Sequence, residues 1–117
     1  MDNLTTVERL IRDGWVGGNT ALIHATVPDG RIRATIEHFR SCFTDLSLIH
    51  LDPLIDSADG RHVSCHGSLH LRQVADFLHV KAVGRAADTD FTAIYRLEDG
   101  QVVRMWIDMD LAQLYIT

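Results

Sequence analysis

The residues of this chain best suited to chemistry gather near its C-terminal end, in DTDFTAIYRLEDGQVVRMWIDMDLAQLYIT. Two alternating stretches flank Asp99-Gly100, a dipeptide suited to a tight two-residue hairpin, and side chains on an extended strand repeat every two residues. The second stretch therefore sets Arg104, Trp106, Asp108 and Asp110 on one face and Val103, Met105, Ile107 and Met109 on the other. The apolar row needs burial of its own. With both faces covered, the two acids are expected to line a cavity beside an aromatic ring.

A regular ladder through the two-residue turn pairs Leu97 with Val102, Tyr95 with Arg104, Ala93 with Trp106, Phe91 with Asp108 and Thr89 with Asp110. One face then collects Tyr95, Phe91, Trp106, Arg104 and both acids, and aromatic walls with a few polar groups are the composition of small-molecule pockets. Asp108 and Asp110 would stand roughly 7 Å apart at Cα. Desolvation beside Trp106 and mutual repulsion both raise a carboxyl pKa, which makes a carboxylate a usable base near neutral pH. The same residues admit another reading. Trp106 and Phe91 would be plain core, and the acids would meet solvent at the end of the strand.

Histidine is the second concentration of chemistry, with seven in the chain. His62, His66 and His70 share one strand parity. Residues four apart on a strand are roughly 13 Å apart, too far for one ion with ligand bonds of about 2 Å. Chelation by His66 and His70 would need a helix, which Ser64, Cys65, Gly67 and Ser68 disfavour. No metal is expected from this stripe. His24, His38, His50 and His79 form no usable pattern. Cys42 and Cys65 read as two reduced thiols of a cytoplasmic protein.

The elements that must position these groups change period midway. Leu4, Val7, Leu10 and Ile11 make an apolar stripe on a helix through about Asp13, capped by Asn3 or Thr5 and broken by Gly14, Gly17 and Gly18. A short helix over Asn19–Thr26 follows, capped by Asn19 and stopped at Pro28-Asp29-Gly30, and a third spans Arg31–Cys42. Strands are expected over Leu46–Ile55, His62–Arg72, Phe77–Val83, Thr89–Leu97 and Val102–Asp110, with turns at Asp59-Gly60 and Asp99-Gly100. Helices first and strands afterwards imply an α+β layer, helices covering one side of an antiparallel sheet.

At 117 residues the chain can bury one core, so residues 1–117 read as one domain. Its net charge of −5 and scattered basic residues argue against nucleic acid or an anionic membrane as partner. No apolar run approaches the roughly 18 residues of a membrane span, and MDNLTTVERL lacks a signal-peptide pattern.

The C-terminal segment resembles the last hairpin of the SnoaL-like polyketide cyclases, within the nuclear-transport-factor-two-like superfamily. The likeness rests on an aromatic strand, R-x-E-D-G, a hydrophobic pair and W-x-x-x-D, which Trp106 and Asp110 fit. Upstream, RDGWVGGNTALIHATVPDG is similar to the family's first helices, with Trp15, Gly18, Asn19 and the Pro28-Asp29 stop. FTDLSL is similar to its F-P-D-L-x-V segment, with Thr44 in place of the usual Pro. The resemblance implies a cone-shaped α+β roll with helices packed on a curved sheet. It assigns the proton-shuttling aspartate to Asp110 and places His66 near a basic pocket position, while Asp108, read from the strand spacing, would assist by raising its neighbour's pKa. Trp106, Arg104, Tyr95, Phe91 and Trp15 become substrate-binding, and the chemistry is an intramolecular aldol closure that needs no cofactor. Two departures stand out. The loop Val27–Gly30 is short, so part of the usual pocket wall is missing, and the usual Gly-x-His-x-Gly is absent, with Gln73 standing only roughly where the histidine would be.

Three function classes remain open: a cofactor-free cyclase or isomerase on a polyketide-like carbonyl compound; an epoxide-hydrolase-like enzyme using Arg104, Asp108 and Asp110; and a non-catalytic ligand-binding or assembly module. The row Val103, Met105, Ile107 and Met109, if left outside by the pocket face, would pair two copies through the sheet as a homodimer.

Overall fold

The computed structural model describes residues 2–77, 81–82 and 84–111. Asp2 opens the first helix, α1 (Asn3–Arg9), its Oδ1 accepting from the Thr5 N–H at 2.7 Å. The cap thus lies just before the two residues the sequence suggested. Gly14 does not end the helix. The chain continues as a wider π-helical stretch over Leu10–Val16, and Gly17 closes it by donating its N–H to the Arg12 carbonyl at 3.0 Å. The added turn carries Trp15 inward. Arg40 fixes its end from across the helical layer, donating through Nη1 to the carbonyls of Trp15 (2.9 Å) and Val16 (3.1 Å), groups a helix terminus leaves without intrahelical donors.

Asn19 caps α2 (Thr20–Thr26), accepting from Leu22 at 3.0 Å, as its side-chain chemistry predicts. Asp29 caps α3 (Gly30–Cys42) through Oδ1 and the Arg31 N–H at 2.8 Å. That bond, the largest influence on the group, holds the Asp29 carboxyl below its ordinary pKa.

The strands are β1 (Phe43–Leu51), β2 (Ile55–Asp56), β3 (His62–Gln73), β4 (Ala86–Glu98) and β5 (Gln101–Met109). All described pairings are antiparallel, in the order β1-β3-β4-β5, with β2 also pairing β3. Of the strand expected over residues 77–83, residues 78–80 and 83, including His79, lie outside the described residues.

One face of the sheet buries Val63, Cys65, Leu69 and Leu71 from β3 and Phe91, Ala93, Tyr95 and Leu97 from β4. Val7, Leu10, Ile11, Ile23, Ile36 and Phe39 from the helices belong to the same core. Full burial of one such side chain contributes about 1.5–3 kcal/mol. The long β3–β4 ladder, running from His62 opposite Arg96 to Arg72 opposite Ala86, keeps its alternation throughout. The outer strands do not. β1 carries register shifts between Thr44 and Ser47 and between Leu48 and His50, and β5 carries one just after the hairpin. No described helix is long and apolar enough to cross a membrane.

Candidate functional site

The site begins at the β4–β5 turn. Asp99 and Gly100 both take positive φ, 51° and 74°, as a two-residue hairpin loop requires, and Leu97 pairs with Val102 as expected. The next pair is Arg96 with Arg104, so Val103 is an extra residue on β5. Such a bulge shifts everything beyond it by one. Tyr95 faces Met105, Ile94 faces Trp106, Ala93 faces Ile107, Thr92 faces Asp108 and Phe91 faces Met109. Met105, Ile107 and Met109 therefore share a face with the buried Tyr95, Ala93 and Phe91.

This corrects the face assignment made from alternation. The row expected outside lies inside, and the apolar strip that motivated a sheet-mediated homodimer is the wall of a cleft.

That cleft, about 890 Å³, opens between α3 and β5. Ile32, Thr35 and Phe39 line it from α3, Val103, Met105, Ile107 and Met109 from β5, and Trp15 and Phe77 from the interior. Aromatic contacts stiffen the inner end. Trp15 meets Phe39 edge-on at 5.4 Å, and Phe77 packs against Phe39 at 5.7 Å and Phe43 at 5.4 Å. Asp29, Arg31, Arg104 and Asp108 supply the charged part of the lining. Beneath it, a small pocket of about 30 Å³ shares Trp15, Ile107 and Met109 with the cleft and adds Tyr95 and Phe91.

The expected site residues thus separate. Trp15 lines the cleft from inside, Arg104 and Asp108 border it at its rim on the strand parity of Trp106, and Phe91 and Tyr95 line the small pocket beneath. Trp106 is 45% exposed on the opposite face, with the Arg104 guanidinium 5.1 Å from its ring centre and the His62 ring 6.3 Å away. Asp110 is exposed at the end of β5 and is absent from the cleft lining. Its N–H donates to Asp90 O at 3.1 Å, and its carbonyl accepts from Thr89 Oγ1. The expected burial of Asp110 under Trp106 and Tyr95 is corrected by the same bulge, since Tyr95 and Trp106 stand on opposite faces. His66 is exposed on the outer side of β3, bonded to Asp52 at 2.9 Å, so it too lies away from the cleft. Gln73 is buried at the end of β3, donating to Ala75 O at 3.1 Å.

Alternation alone missed Thr35, Met105, Ile107 and Met109 as lining residues. The helical phase of α3, with Ile32, Ile36 and Phe39 on one side, was the available signal for its inward face.

The floor has its own electrostatics. Burial pushes the Tyr95 hydroxyl well above its ordinary pKa, the neighbouring Cys65 adds to this, and the Trp15 indole opposes it. Burial likewise pushes the Cys65 thiol up to about 11, against a smaller opposing bond from the Ala93 backbone. Both groups are held neutral. Trp15 is 9% exposed, and its Nε1–H, close enough to Tyr95 to influence it, completes no hydrogen bond of ordinary geometry among the described residues. A buried donor left in this state costs about 1–3 kcal/mol.

No family model matches this chain, and no curated protein does. Solved structures do match it closely in fold. A candidate polyketide cyclase from Pseudomonas putida KT2440 superposes with a TM-score of 0.80 at 16% identity, over 97% of this chain and 95% of that one. A SnoaL-like polyketide cyclase from Agrobacterium tumefaciens C58 gives 0.77 at 14% identity, over 98% and 97%. The fold is that of the SnoaL-like polyketide cyclases. TsrD from Streptomyces laurentii superposes with a TM-score of 0.71 at 25% identity, over 95% of this chain and 92% of that one. Three helices against an open antiparallel sheet are common ground, and coverage near full length leaves little of this chain outside the shared architecture.

Proposed function

We propose that the α3–β5 cleft binds a largely apolar, carbonyl-bearing small molecule of the polyketide-like class, and that the chain acts on it as a cyclase or isomerase using its own side chains. The observation that carries this reading is Trp15, a buried indole donor without a completed bond, set in a wall of Phe39, Phe77, Met105, Ile107 and Met109. A pocket of this kind excludes water from an apolar ligand and offers one directional bond to a ligand oxygen. That SnoaL-fold neighbours are named polyketide cyclases supports the substrate class.

The chemistry would be an aldol-type closure. A base takes a proton from the carbon between two carbonyls, the resulting enolate attacks a second carbonyl of the same molecule, and the alkoxide takes a proton back. Of the two acids singled out in the sequence, only Asp108 borders the cleft, at its rim, and it is the acid/base residue of this proposal. A second reading, a non-catalytic binding module, is favoured by the exposure of Asp108 and Asp110.

Calorimetric titration with a panel of aromatic and linear polyketide intermediates tests the binding step. A ligand should bind one per chain, and Trp15→Phe, which keeps the ring but not the donor, should weaken it about tenfold, the value of one well-made hydrogen bond. A ligand whose hydrogen-exchange protection falls on the outer face of the sheet, and not on α3 and β5, would overturn the assignment.

A further inference from the structure

The outer face of the sheet carries a second constellation, remote in role from the cleft. His50, Asp52 and His66 place one ligand atom each within 4.8 Å of one another. His66 Nδ1 lies 2.9 Å from Asp52 Oδ2, and His50 Nε2 lies 3.8 Å from Asp52 Oδ1. All three side chains are about half exposed, so an ion could reach them from solvent.

The backbone arranges this meeting in a specific way. Leu48 pairs with Leu69 on the core side, whereas His50 pairs with Ser68, so Ile49 is an extra residue in β1. In an unbroken strand His50 would follow Leu48 onto the core face. The bulge turns it outward, leaves Leu51 opposite Gly67, and lets Asp52 continue the line with its N–H donating to His66 O at 2.9 Å. His50 and Asp52 then project from the same side as His66 across the ladder. Bulges are over-represented where a strand must re-aim a side chain for function.

We propose that His50, Asp52 and His66 form a binding site for one divalent transition-metal ion of the zinc type. Two imidazoles and one carboxylate are the ligand types that suit such an ion, and they leave a fourth position for water or an incoming group. Around a tetrahedral ion with bonds of about 2.0–2.1 Å, ligand atoms stand about 3.3 Å apart. The separations, from 2.9 Å to no more than 4.8 Å, bracket that value, so the three ligand atoms lie within reach of one ion. Asp52 is the pivot, since its two oxygens face different histidines. The sequence argument that His66 and His70 cannot share one ion agrees with this arrangement, because His70 turns to Asp88 at 2.8 Å. Partners for His66 come from the neighbouring strand instead. A bound ion would join the β1–β2 connection to the middle of β3.

Tag-free protein, stripped with chelator and dialysed, is titrated with Zn(II) by calorimetry and with Co(II) by visible absorption. One ion per chain should bind, with the intense d–d bands of four-coordinate Co(II). The melting temperature should rise with zinc and fall back with chelator, as ligand linkage requires. His50→Ala and His66→Ala should each weaken binding by roughly tenfold or more, while His70→Ala leaves it unchanged. Far-ultraviolet circular dichroism establishes that the variants are folded. Absence of binding at about 100 μM Zn(II), weaker than sensor-class sites hold their ions, overturns the proposal, as does binding that survives both His50→Ala and His66→Ala or is abolished by His70→Ala.

Discussion

Tyr95 pairs with Met105 across the last hairpin, one residue beyond the Arg104 that a regular ladder would set opposite it. This single displacement decides which half of β5 meets the helices. It sets Met105, Ile107 and Met109 on the cleft side with Trp15 and Phe39 and turns Trp106 outward. The cost of the bulge is one residue with altered ladder bonding, and its gain is the partial burial of Met105 and Met109 and an apolar cleft wall to which Ile107, 38% exposed, also belongs.

Because Val103 is the extra residue, a chain lacking it should keep every pair from Arg96–Arg104 onward. Deletion of Val103 is expected to leave the fold intact, with a stability change of no more than about 3 kcal/mol, the usual range for a single change. Tyr95–Met105 contacts should persist in nuclear Overhauser spectra. If Trp106 instead becomes inaccessible to acrylamide quenching in the deletion variant, the bulge does not sit at Val103.

The two aspartates give a direct comparison. Asp108→Asn preserves size and most hydrogen-bonding capacity while removing the ionisable proton, and it should lower turnover by roughly 100-fold with ligand affinity little changed. Asp110→Asn, at an exposed position outside the cleft lining, should retain turnover within about threefold, because surface substitutions away from a site seldom matter. The reverse ranking would return the acid/base role to Asp110, where the family resemblance placed it. Full activity in both variants would favour the binding module.

What alternation could disclose depended on how regular each strand is. β3 and β4 keep one parity from end to end, so Val63, Cys65, Leu69 and Leu71 on one side and His62, His66 and His70 on the other were legible. β1 carries two extra residues, one between Thr44 and Ser47 and Ile49 after Leu48, and β5 carries one, Val103 after Val102. Two adjacent apolar residues give no sign of which one leaves the ladder, so parity beyond them cannot be read. Of the helix caps, Asn19 was legible, whereas Asp2 caps α1 ahead of Asn3 and Thr5, and Asp29, read as part of a stop, caps α3. Gly14, which the sequence presents as a breaker, packs tightly, an added Cβ lying 3.1 Å from Leu10 Cδ1 and 3.2 Å from Ile23 Cγ1. Trp15 was found by resemblance, but the imperfect geometry of its indole N–H toward Tyr95 has no sign in the sequence.

Asp59 offers a pH test of the β2–β3 turn. Its carboxylate accepts from Ser57 Oγ, the largest influence, then from the Arg61 N–H at 2.9 Å and from His62, and together they lower its pKa from 3.8 to about 2. A depressed folded pKa means that this contribution to stability is full above the ordinary value of 3.8 and is lost as pH falls through about 2. Carbon-detected titration of the side-chain carboxyl should give that low value, and Ser57→Ala should move it back toward the ordinary one. An Asp59 titration unchanged by Ser57→Ala would refute the role given to the hydroxyl.

At Gly67 the backbone of β1 passes close to β3. A Cβ there would lie 2.6 Å from the His50 carbonyl oxygen and 3.0 Å from two ring atoms of Phe91. The Phe91 ring can tilt, but the carbonyl belongs to the backbone that carries the Ile49 bulge, so the strand itself must move. Gly67→Ala should therefore destabilise by about 1–3 kcal/mol, the range for inserting an extra methyl into a packed interior. It should do so although Gly-to-Ala changes in ordinary strand conformations reduce unfolded-state entropy and stabilise. Ser64→Ala, on the outer row of the same strand, serves as the control and should shift the denaturation midpoint far less. Displacing the His50 backbone would also spoil the approach of its imidazole to Asp52, so Gly67→Ala should weaken zinc binding along with stability. Equal denaturation midpoints for Gly67→Ala and the unmodified chain would mean that β1 is not held against β3 at His50 as described.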